Sequence, residues 1–405
     1  MKKNSGNPSG TAVIILILLT FSYLVPNYIQ YQVSPLGPAI MERFSLRTSQ
    51  FSALFTASMI PAIFLSVPGG VLMDKIGPKK VIGAGMLIAS AGCILRIGAQ
   101  TYPALMAATV LTGFAAMFIN AGAGKILIGY YPAEQVNSEM GIVVAGANVG
   151  MTIAMFTIAR FAGIREAFTA GAVLQIIAAV IWFVLMKDPP ARASGSNFVQ
   201  KKKSGSIPVE APGMKQSLAV TLRSRNVWFA ALTMFFLMAI NVLFNSFAPT
   251  ALAAKGVDAV TAGNISAFIT IGNLVGCFVV PAVIKQTGHQ KPVIIVFAVL
   301  GAAGVAGSWH IGNTLLLTAA FFVTGVCLGG IIPPVMMMPV KFPEIGQLYA
   351  GTAGGIVGTM QLAGAVVIPS LVIAPAAGNN FTLLYFMGGI GMILATVMYS
   401  RIHGV

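Results

Sequence analysis

Apolar stretches of about twenty residues recur along this chain, and their length and number constrain the fold more than any other feature. A helix needs about 20 apolar residues to cross the hydrocarbon core of a bilayer, and twelve stretches reach that length. The predicted spans are 12–32, 48–71, 80–99, 104–130, 138–161, 166–187, 226–251, 260–285, 290–310, 313–340, 348–375 and 379–401. The sequence therefore predicts an all-α integral membrane protein with twelve transmembrane helices.

One long hydrophilic segment, residues 188–225, divides these spans into six and six. It contains a Pro-Pro pair, Gly-Ser pairs and three consecutive lysines at 201–203, a composition typical of a flexible basic linker. We therefore expect an N-terminal six-helix lobe over 1–187 and a C-terminal six-helix lobe over 226–405, joined by this linker.

Two pairs of residues indicate that the halves are duplicated. Gly77 and Gly288 each follow an even-numbered span and precede lysines, and they are 211 positions apart. Pro132 and Pro343, after spans four and ten, are separated by the same 211 positions. A shared offset of this kind is expected of two pseudo-symmetric lobes.

Lysine and arginine are distributed unequally between alternate loops. Seventeen lie on the side that holds both termini and the linker, six lie on the opposite side, and Lys125 lies within a span. Cytoplasmic loops carry the excess of positive charge in membrane proteins, so we expect both termini and the linker to be cytoplasmic, in a bacterial inner membrane. The net charge of +15 therefore indicates orientation in a lipid bilayer, and no nucleic-acid partner is expected.

The segment between spans two and three concentrates charge in a chain that is only 8% charged. Residues 69–80, called here the latch segment, read GGVLMDKIGPKK. Glycine permits a tight turn, and lysines favour the anionic cytoplasmic surface. Two interpretations stay open: a positively charged anchor that fixes orientation, or a latch that holds one conformation. The latch would consist of Gly70, Asp74, Lys75, Gly77, Lys79 and Lys80.

This segment resembles the signature of the major facilitator superfamily of transporters, in which glycine, aspartate and paired basic residues recur at the same spacing. Six spans plus six, joined by a basic linker, are similar to the same family. The resemblance covers the whole chain. It implies alternating access between two six-helix lobes, a latch that helps to lock the outward-facing state, and a central cavity lined by spans one, four, seven and ten.

The chain departs from the family pattern at the partner of the latch. The loop after Pro132 lacks the arginine that usually pairs with the aspartate, and Lys285 occupies the position equivalent to Asp74 in the second half. The motifs of proton-driven drug exporters are also missing from spans four and five. The partner of Asp74 is therefore left open, and a multidrug antiporter is disfavoured.

Lys125 lies about six residues inside span four, or roughly 9 Å at 1.5 Å per residue. Charged residues within spans are costly and commonly functional. Lys125 could anchor an anion in the central cavity, or its long side chain could extend to the cytoplasmic surface. By our boundaries none of the nine acidic residues lies deep in a span, which disfavours a carboxylate proton relay and a cationic substrate.

Neutral polar residues within spans mark further candidate positions for substrate binding. In the family their location would place several of them in the central cavity, whereas the alternative is hydrogen bonding between helices without substrate. The candidates are Asn27, Tyr28, Tyr31, Asn120, Asn241, Asn245 and Gln361.

Glycine and proline residues lead to two further predictions, one about helix packing and one about a helix bend. The spacing of two small residues four apart lets helices approach closely, and the resemblance implies that spans five and eight meet between the lobes. That predicted lobe interface comprises Gly146, Asn148, Gly150, Gly272, Asn273 and Gly276. Prolines in span ten free backbone carbonyls, which predicts either a gating bend or a simple packing kink at Pro333, Pro334 and Pro339.

These features together predict a transporter rather than an enzyme. No nucleophile triad, metal-ligand cluster or nucleotide-binding glycine loop stands out, so we expect no cofactor and no metal. The expected protein is a monomeric secondary or facilitative transporter, and a small anion such as a monocarboxylate is the favoured substrate. The alternatives are a carrier of nitrate, nitrite or cyanate, a facilitator for a neutral or quaternary-ammonium solute, and a non-transporting sensor.

Overall fold

The computed structural model describes residues 10–187, 214–346 and 349–403. Within these ranges, twelve helical segments are long and apolar enough to cross a membrane, which confirms the predicted number. Most of the predicted linker, residues 188–213, lies outside the described part of the chain. The end of the predicted linker contains a short helix, Met214–Arg223, before the seventh span.

The helices follow the apolar pattern closely. Those of the first half are α1 (Gly10–Tyr31), α2 (Gly37–Arg43), α3 (Thr48–Thr56), α4 (Ile60–Ile76), α5 (Pro78–Gly98), α6 (Tyr102–Tyr130), α7 (Ala133–Thr157) and α8 (Ile164–Leu185). Those of the second half are α9 (Met214–Arg223), α10 (Arg225–Ala254), α11 (Ala259–Thr287), α12 (Gln290–Ser308), α13 (Thr314–Met336), α14 (Ala350–Val367), α15 (Ala374–Ala377) and α16 (Phe381–Ser400).

Two spans are less regular than the sequence predicted. Span two consists of α3 and α4 joined by a 3₁₀ turn at Ala57–Met59. Span eleven changes from α14 into a π-helical stretch, Ile368–Ile373, before α15. Prolines stand at the start of α4 and of the π-helical stretch, where a missing N–H costs little.

Many large apolar side chains are exposed on the outside of these helices. Phe64, Val184 and Leu371 are 72%, 72% and 69% exposed, respectively. Contiguous exposed apolar surface is rare on soluble proteins and expected where lipid covers a helix. The chain is therefore a multi-pass membrane protein.

Contacts among the described residues divide the chain into two compact units. The first unit comprises Met1–Gln32, Ala57–Ala154 and Phe161–Gln200, and the second comprises Val33–Thr56, Met155–Arg160 and Lys201–Val405. The core of the first unit contains Leu19, Ile82, Ile119 and Trp182, all fully buried. The units therefore differ from the predicted division at residue 188, because residues 33–56 and 155–160 pack with the second half.

Side-chain contacts explain why residues 33–56 belong to the second unit. The Phe51 ring packs edge-on against Phe247 of α10, with centroids 5.5 Å apart. The Ser52 hydroxyl lies 3.1 Å from the Ser370 hydroxyl in the π-helical stretch. The start of span two is thus held by α10 and span eleven, although Ser52 and Ser370 are 318 positions apart in the sequence.

Candidate functional site

The latch segment is a junction between two helices, with a turn of one residue. α4 continues through Ile76, Gly77 forms the turn, and α5 begins at Pro78. Gly77 has φ 90° and ψ 149°, a conformation almost confined to glycine. Gly70 was predicted to share this role, but that prediction is wrong, because Gly70 lies within α4.

The helical part of the latch segment packs on α6 in the first unit. A Cβ added at Gly69 would lie 2.9 Å from the Phe118 ring, and one at Gly122 would lie 2.8 Å from Met73 Sδ. Between these contacts, Lys125 Nζ donates a hydrogen bond to the Gly70 carbonyl over 3.0 Å. Span four therefore holds the latch segment through small residues and one lysine.

The charged residues of the latch segment are described in part. Lys75 and Lys80 are exposed and Lys79 is half-buried; the Lys79 carbonyl accepts a hydrogen bond from Trp182 Nε1 over 3.1 Å. The side chain of Asp74 lies outside the described residues, so the latch role and the partner of Asp74 stay predictions.

Lys125 contacts the latch segment, and its role as an anion anchor stays a prediction. It is half-buried, and its amine points toward the latch segment, as a side chain extending to the predicted cytoplasmic surface would do. The Gly70 carbonyl was not foreseen as a partner, because sequence spacing does not show which helix faces α6.

Two of the candidate binding residues, Asn27 and Asn120, are linked through Tyr23 between α1 and α6. Tyr23 Oη donates a hydrogen bond to Asn120 Oδ1, and Asn27 Nδ2 donates to the Tyr23 carbonyl over 2.8 Å. Asn120 is exposed, and Asn27 is half-buried. Tyr28 and Tyr31 are only 6% and 3% exposed, so both side chains are buried.

The candidate asparagines of the second half form one buried network. Asn241 Nδ2 donates to Asn273 Oδ1 over 3.2 Å, and Asn245 Nδ2 donates to the Asn241 carbonyl over 2.8 Å. These three asparagines are 5% exposed or less. The network joins α10 to α11, as the alternative of hydrogen bonding between helices predicted. Gln361 is half-buried on α14.

The glycines of the predicted lobe interface approach neighbours that were not foreseen. In α7, Gly146 and Gly150 face the Thr20 and Leu24 carbonyls of α1. In α11, Gly272 and Gly276 face the Phe322 and Val326 carbonyls of α13.

These glycines therefore allow close packing within each half, α7 on α1 and α11 on α13. Asn148 is half-buried and its carbonyl accepts from Thr152 Oγ1 of the same helix. Phe156 of α7 and Phe268 of α11 pack with ring centroids 6.4 Å apart. A sliding role for the six predicted residues stays a prediction.

The prolines of span ten lie at the end of α13. Pro333 and Pro334 occupy its last turn, and Pro339 lies in a following 3₁₀ turn, Met338–Lys341. Pro333 leaves the Gly329 carbonyl without its usual helical donor, and Cys277 Sγ lies 3.6 Å from that oxygen. The freed carbonyl thus has a partner from α11, as expected of proline within a membrane helix.

Arg96 is the residue that the sequence analysis missed. It was counted only as a loop charge, but it lies in the last turn of α5 and is 2% exposed. Its guanidinium carbon lies 4.1 Å from the centroid of the Phe168 ring. Its aliphatic neighbours Ile94, Leu95 and Ile97 were the available signal, since they place the arginine inside the apolar run.

Comparisons with known proteins agree with this architecture. The family model of the Major Facilitator Superfamily matches residues 14–369. The chain is 23% identical to the hexuronate transporter of Bacillus subtilis (strain 168) over 413 residues, covering 95% of this chain and 94% of that protein. It is 21% identical to the 4-hydroxybenzoate transporter PcaK of Pseudomonas putida over 354 residues, covering 80% and 79%.

A solved structure confirms the fold. The crystal structure of a bacterial homologue of the human lysosomal transporter Spinster, inward-facing and unoccupied, matches with a TM-score of 0.73 at 16% identity. The match covers 97% of this chain and 96% of that one. On the family match, the twelve spans and this shared fold, the chain belongs to the major facilitator superfamily and is a membrane transporter.

Proposed function

We propose that this transporter carries a small organic anion with one carboxylate across the membrane by alternating access. The observation that carries the proposal is the shared chemistry of two relatives that match most of the chain: a hexuronate and 4-hydroxybenzoate are both monocarboxylates. They differ in ring type and hydroxylation, so the carboxylate is the group that the proposal assigns to this chain.

Two residues of α6, Lys125 and Asn120, support an anionic substrate. Lys125 places a cation half-buried in α6, and Asn120 exposes an amide five residues earlier, about 7.5 Å along the helix axis. An ammonium group attracts a carboxylate, and an amide can donate to its oxygens or to ring hydroxyls. We assign Lys125 to charge recognition and Asn120 to hydrogen bonding with the rest of the solute.

We assign the protein to the cytoplasmic membrane, with both termini on the cytoplasmic side. The excess of lysine and arginine on one side of the spans is the basis of this assignment. The latch segment then lies at the cytoplasmic surface, where its lysines contact anionic lipid headgroups.

Uptake by intact bacteria that express this chain tests the substrate class. Labelled glucuronate, 4-hydroxybenzoate, glucose and choline are supplied separately to cells that lack their own uptake systems for these solutes. The proposal expects saturable uptake of a carboxylate, with inhibition by other carboxylates and none by glucose or choline. Saturable uptake of glucose or choline that carboxylates leave unchanged would overturn it.

A further inference from the structure

Arg96 presents an unused bidentate edge of its guanidinium inside the first unit. Its Nη1 donates to the Ile29 carbonyl of α1 over 3.4 Å. Its Nε and Nη2 are buried and have no hydrogen-bond partner among the described residues. In a planar guanidinium, Nε–H and the N–H of Nη2 point the same way from one edge, a spacing that matches the two oxygens of a carboxylate.

The two contacts of Arg96, with α1 and with Phe168, explain a buried cation here but not the choice of arginine. A cation beside the end of α1 is favourable, because the last carbonyls of a helix carry partial negative charge, and the ring of Phe168 attracts a cation through its face. Neither contact uses Nε or Nη2. Lysine could make both contacts with fewer unsatisfied donors, so they do not explain why an arginine stands here.

The charge of Arg96 has no carboxylate partner among the described residues. Glu166 lies two residues before Phe168 on α8, but it is exposed and its Oε2 lies against Gly163. Gln32, which directly follows α1, is directed elsewhere, since its Nε2 donates to the Ala167 carbonyl over 2.9 Å. A buried cation without a counterion is strongly unfavourable, and a bound anion would remove that penalty.

We propose that Arg96 is an anion-binding residue whose Nε and Nη2 take the two oxygens of a carboxylate in a second site, formed by α1, α5 and α8. The proposal rests on the proposed function for the choice of a carboxylate. It is separate from Lys125, which lies near the opposite end of its span and contacts the latch segment.

The burial of Arg96 determines when such a site is accessible. At 2% exposure, the guanidinium is closed to solvent by the neighbouring ends of α1 and α8. An anion reaches it only after those ends separate. The site is therefore occupied in a different conformation from the one described, and carboxylate binding shifts the protein toward that conformation.

Calorimetric titration of the purified full-length protein tests the proposal. The probes are 4-hydroxybenzoate and glucuronate, with 4-hydroxybenzamide as the neutral analogue. Arg96→Lys keeps the charge and removes the bidentate edge, and we expect at least a tenfold loss of carboxylate affinity. Arg43→Lys is the matched control, because Arg43 is exposed and also lies over an aromatic ring, that of Phe44 at 5.4 Å; its affinity should equal that of the wild type.

The outcomes separate this proposal from the proposed function. Wild-type protein that binds carboxylates equally well after Arg96→Lys overturns the Arg96 site and leaves the proposed function standing. Wild-type protein that binds neither carboxylate overturns both. Loss of affinity in Arg96→Lys with wild-type affinity in Arg43→Lys supports the site.

A second pair of variants applies if Arg96→Lys does not fold. Phe168→Glu places the chain's own carboxylate beside the guanidinium and should fill the bidentate edge, so carboxylate affinity falls at least tenfold in a folded protein. Phe168→Gln has the same shape without the charge and should bind within about threefold of the wild type. Equal affinity in the two variants would contradict the proposal.

Discussion

Lys125 is the residue at which the proposed recognition of the substrate's charge can be tested most simply. Replacement by methionine keeps the length of the side chain and removes its charge and its hydrogen bond to the Gly70 carbonyl. A charge-assisted hydrogen bond contributes about 1.5–3 kcal/mol, which corresponds to roughly tenfold or more in affinity. We expect Lys125→Met to raise the KM for carboxylate uptake at least tenfold.

Lys125→Arg is the matched control, because it keeps the cation and a donor that reaches Gly70. Its KM should stay within a few-fold of the wild-type value, as measured by initial rates of labelled uptake. A Lys125→Met protein with an unchanged KM and carboxylate competition would contradict the assignment of charge recognition to this residue.

Single residues show both what the sequence can predict and where it stops. The position of Lys125 inside span four follows from the apolar pattern, but its partner depends on how α4 turns against α6. Arg96 lies in the last turn of its helix, so the pattern alone does not distinguish a buried guanidinium from one at the membrane surface. Tertiary packing decides both cases.

At the scale of elements, Gly77 forms the junction between α4 and α5, whereas Gly70 lies inside α4. Gly77 adopts a conformation that costs other residues about 1–3 kcal/mol. Gly70 is helical, and no described atom outside its own helical turns lies within 4 Å of its Cβ position. We expect Gly77→Ala to lower the thermal unfolding midpoint and the uptake rate, whereas Gly70→Ala should leave both unchanged or raise the midpoint slightly.

This pair tests the role of the turn itself. The midpoint is measured by the loss of monodisperse protein in detergent on heating, and uptake is measured in the same preparations. A larger loss for Gly70→Ala than for Gly77→Ala would show that the turn conformation is not the reason for glycine in this segment.

Close packing of α11 on α13 gives a second test. A Cβ at Gly272 overlaps the Phe322 carbonyl, so the backbones must separate, and overpacking of this kind costs typically about 1–3 kcal/mol. Gly272→Ala should therefore lower the unfolding midpoint. Gly358→Ala is the control, because it lies in a helix with no described atom within 4 Å of its Cβ position; its midpoint should not fall.

Pro249 and Ser34 form a third testable pair. Pro249 leaves the Asn245 carbonyl without a helical donor, and Ser34 Oγ donates to that oxygen over 2.8 Å. Ser34→Ala should cost about 1–3 kcal/mol by leaving a buried acceptor unpaired. In a Pro249→Ala background the new N–H can serve the carbonyl, so the same serine change should cost less. Equal costs in both backgrounds, from a double-mutant cycle of unfolding midpoints, would refute the pairing.

The helices were predictable because apolar length and flanking polar residues set their number and approximate ends. The break in span two, the π-helical stretch and the short helix α2 were not, because they depend on contacts with distant segments. Glycine spacing showed that α7 and α11 can be approached closely. The identity of the approaching helix, α1 or α13, is a property of the folded chain and leaves no mark in the spacing.

At the scale of the whole molecule, the twelve apolar spans and the motif of the latch segment predicted the family. They did not predict that residues 33–56 pack with the second half, because Phe51 and Ser52 find their partners only after folding. For the predicted substrate site, the sequence likewise indicates which residue types are available but not which partners they contact. Asn241, predicted for the substrate site, bonds to Asn273, predicted for the lobe interface, which a list of polar residues within spans does not reveal.

Counterflow in proteoliposomes tests the central claim, that this chain moves a monocarboxylate by alternating access, most directly. Vesicles with purified protein are loaded with unlabelled 4-hydroxybenzoate or glucuronate and diluted into a trace of the same labelled compound. The account predicts transient accumulation of the label above its equilibrium level for at least one carboxylate, with no accumulation in protein-free vesicles. Accumulation of a neutral or cationic solute in the same assay, with none for any carboxylate, would contradict it.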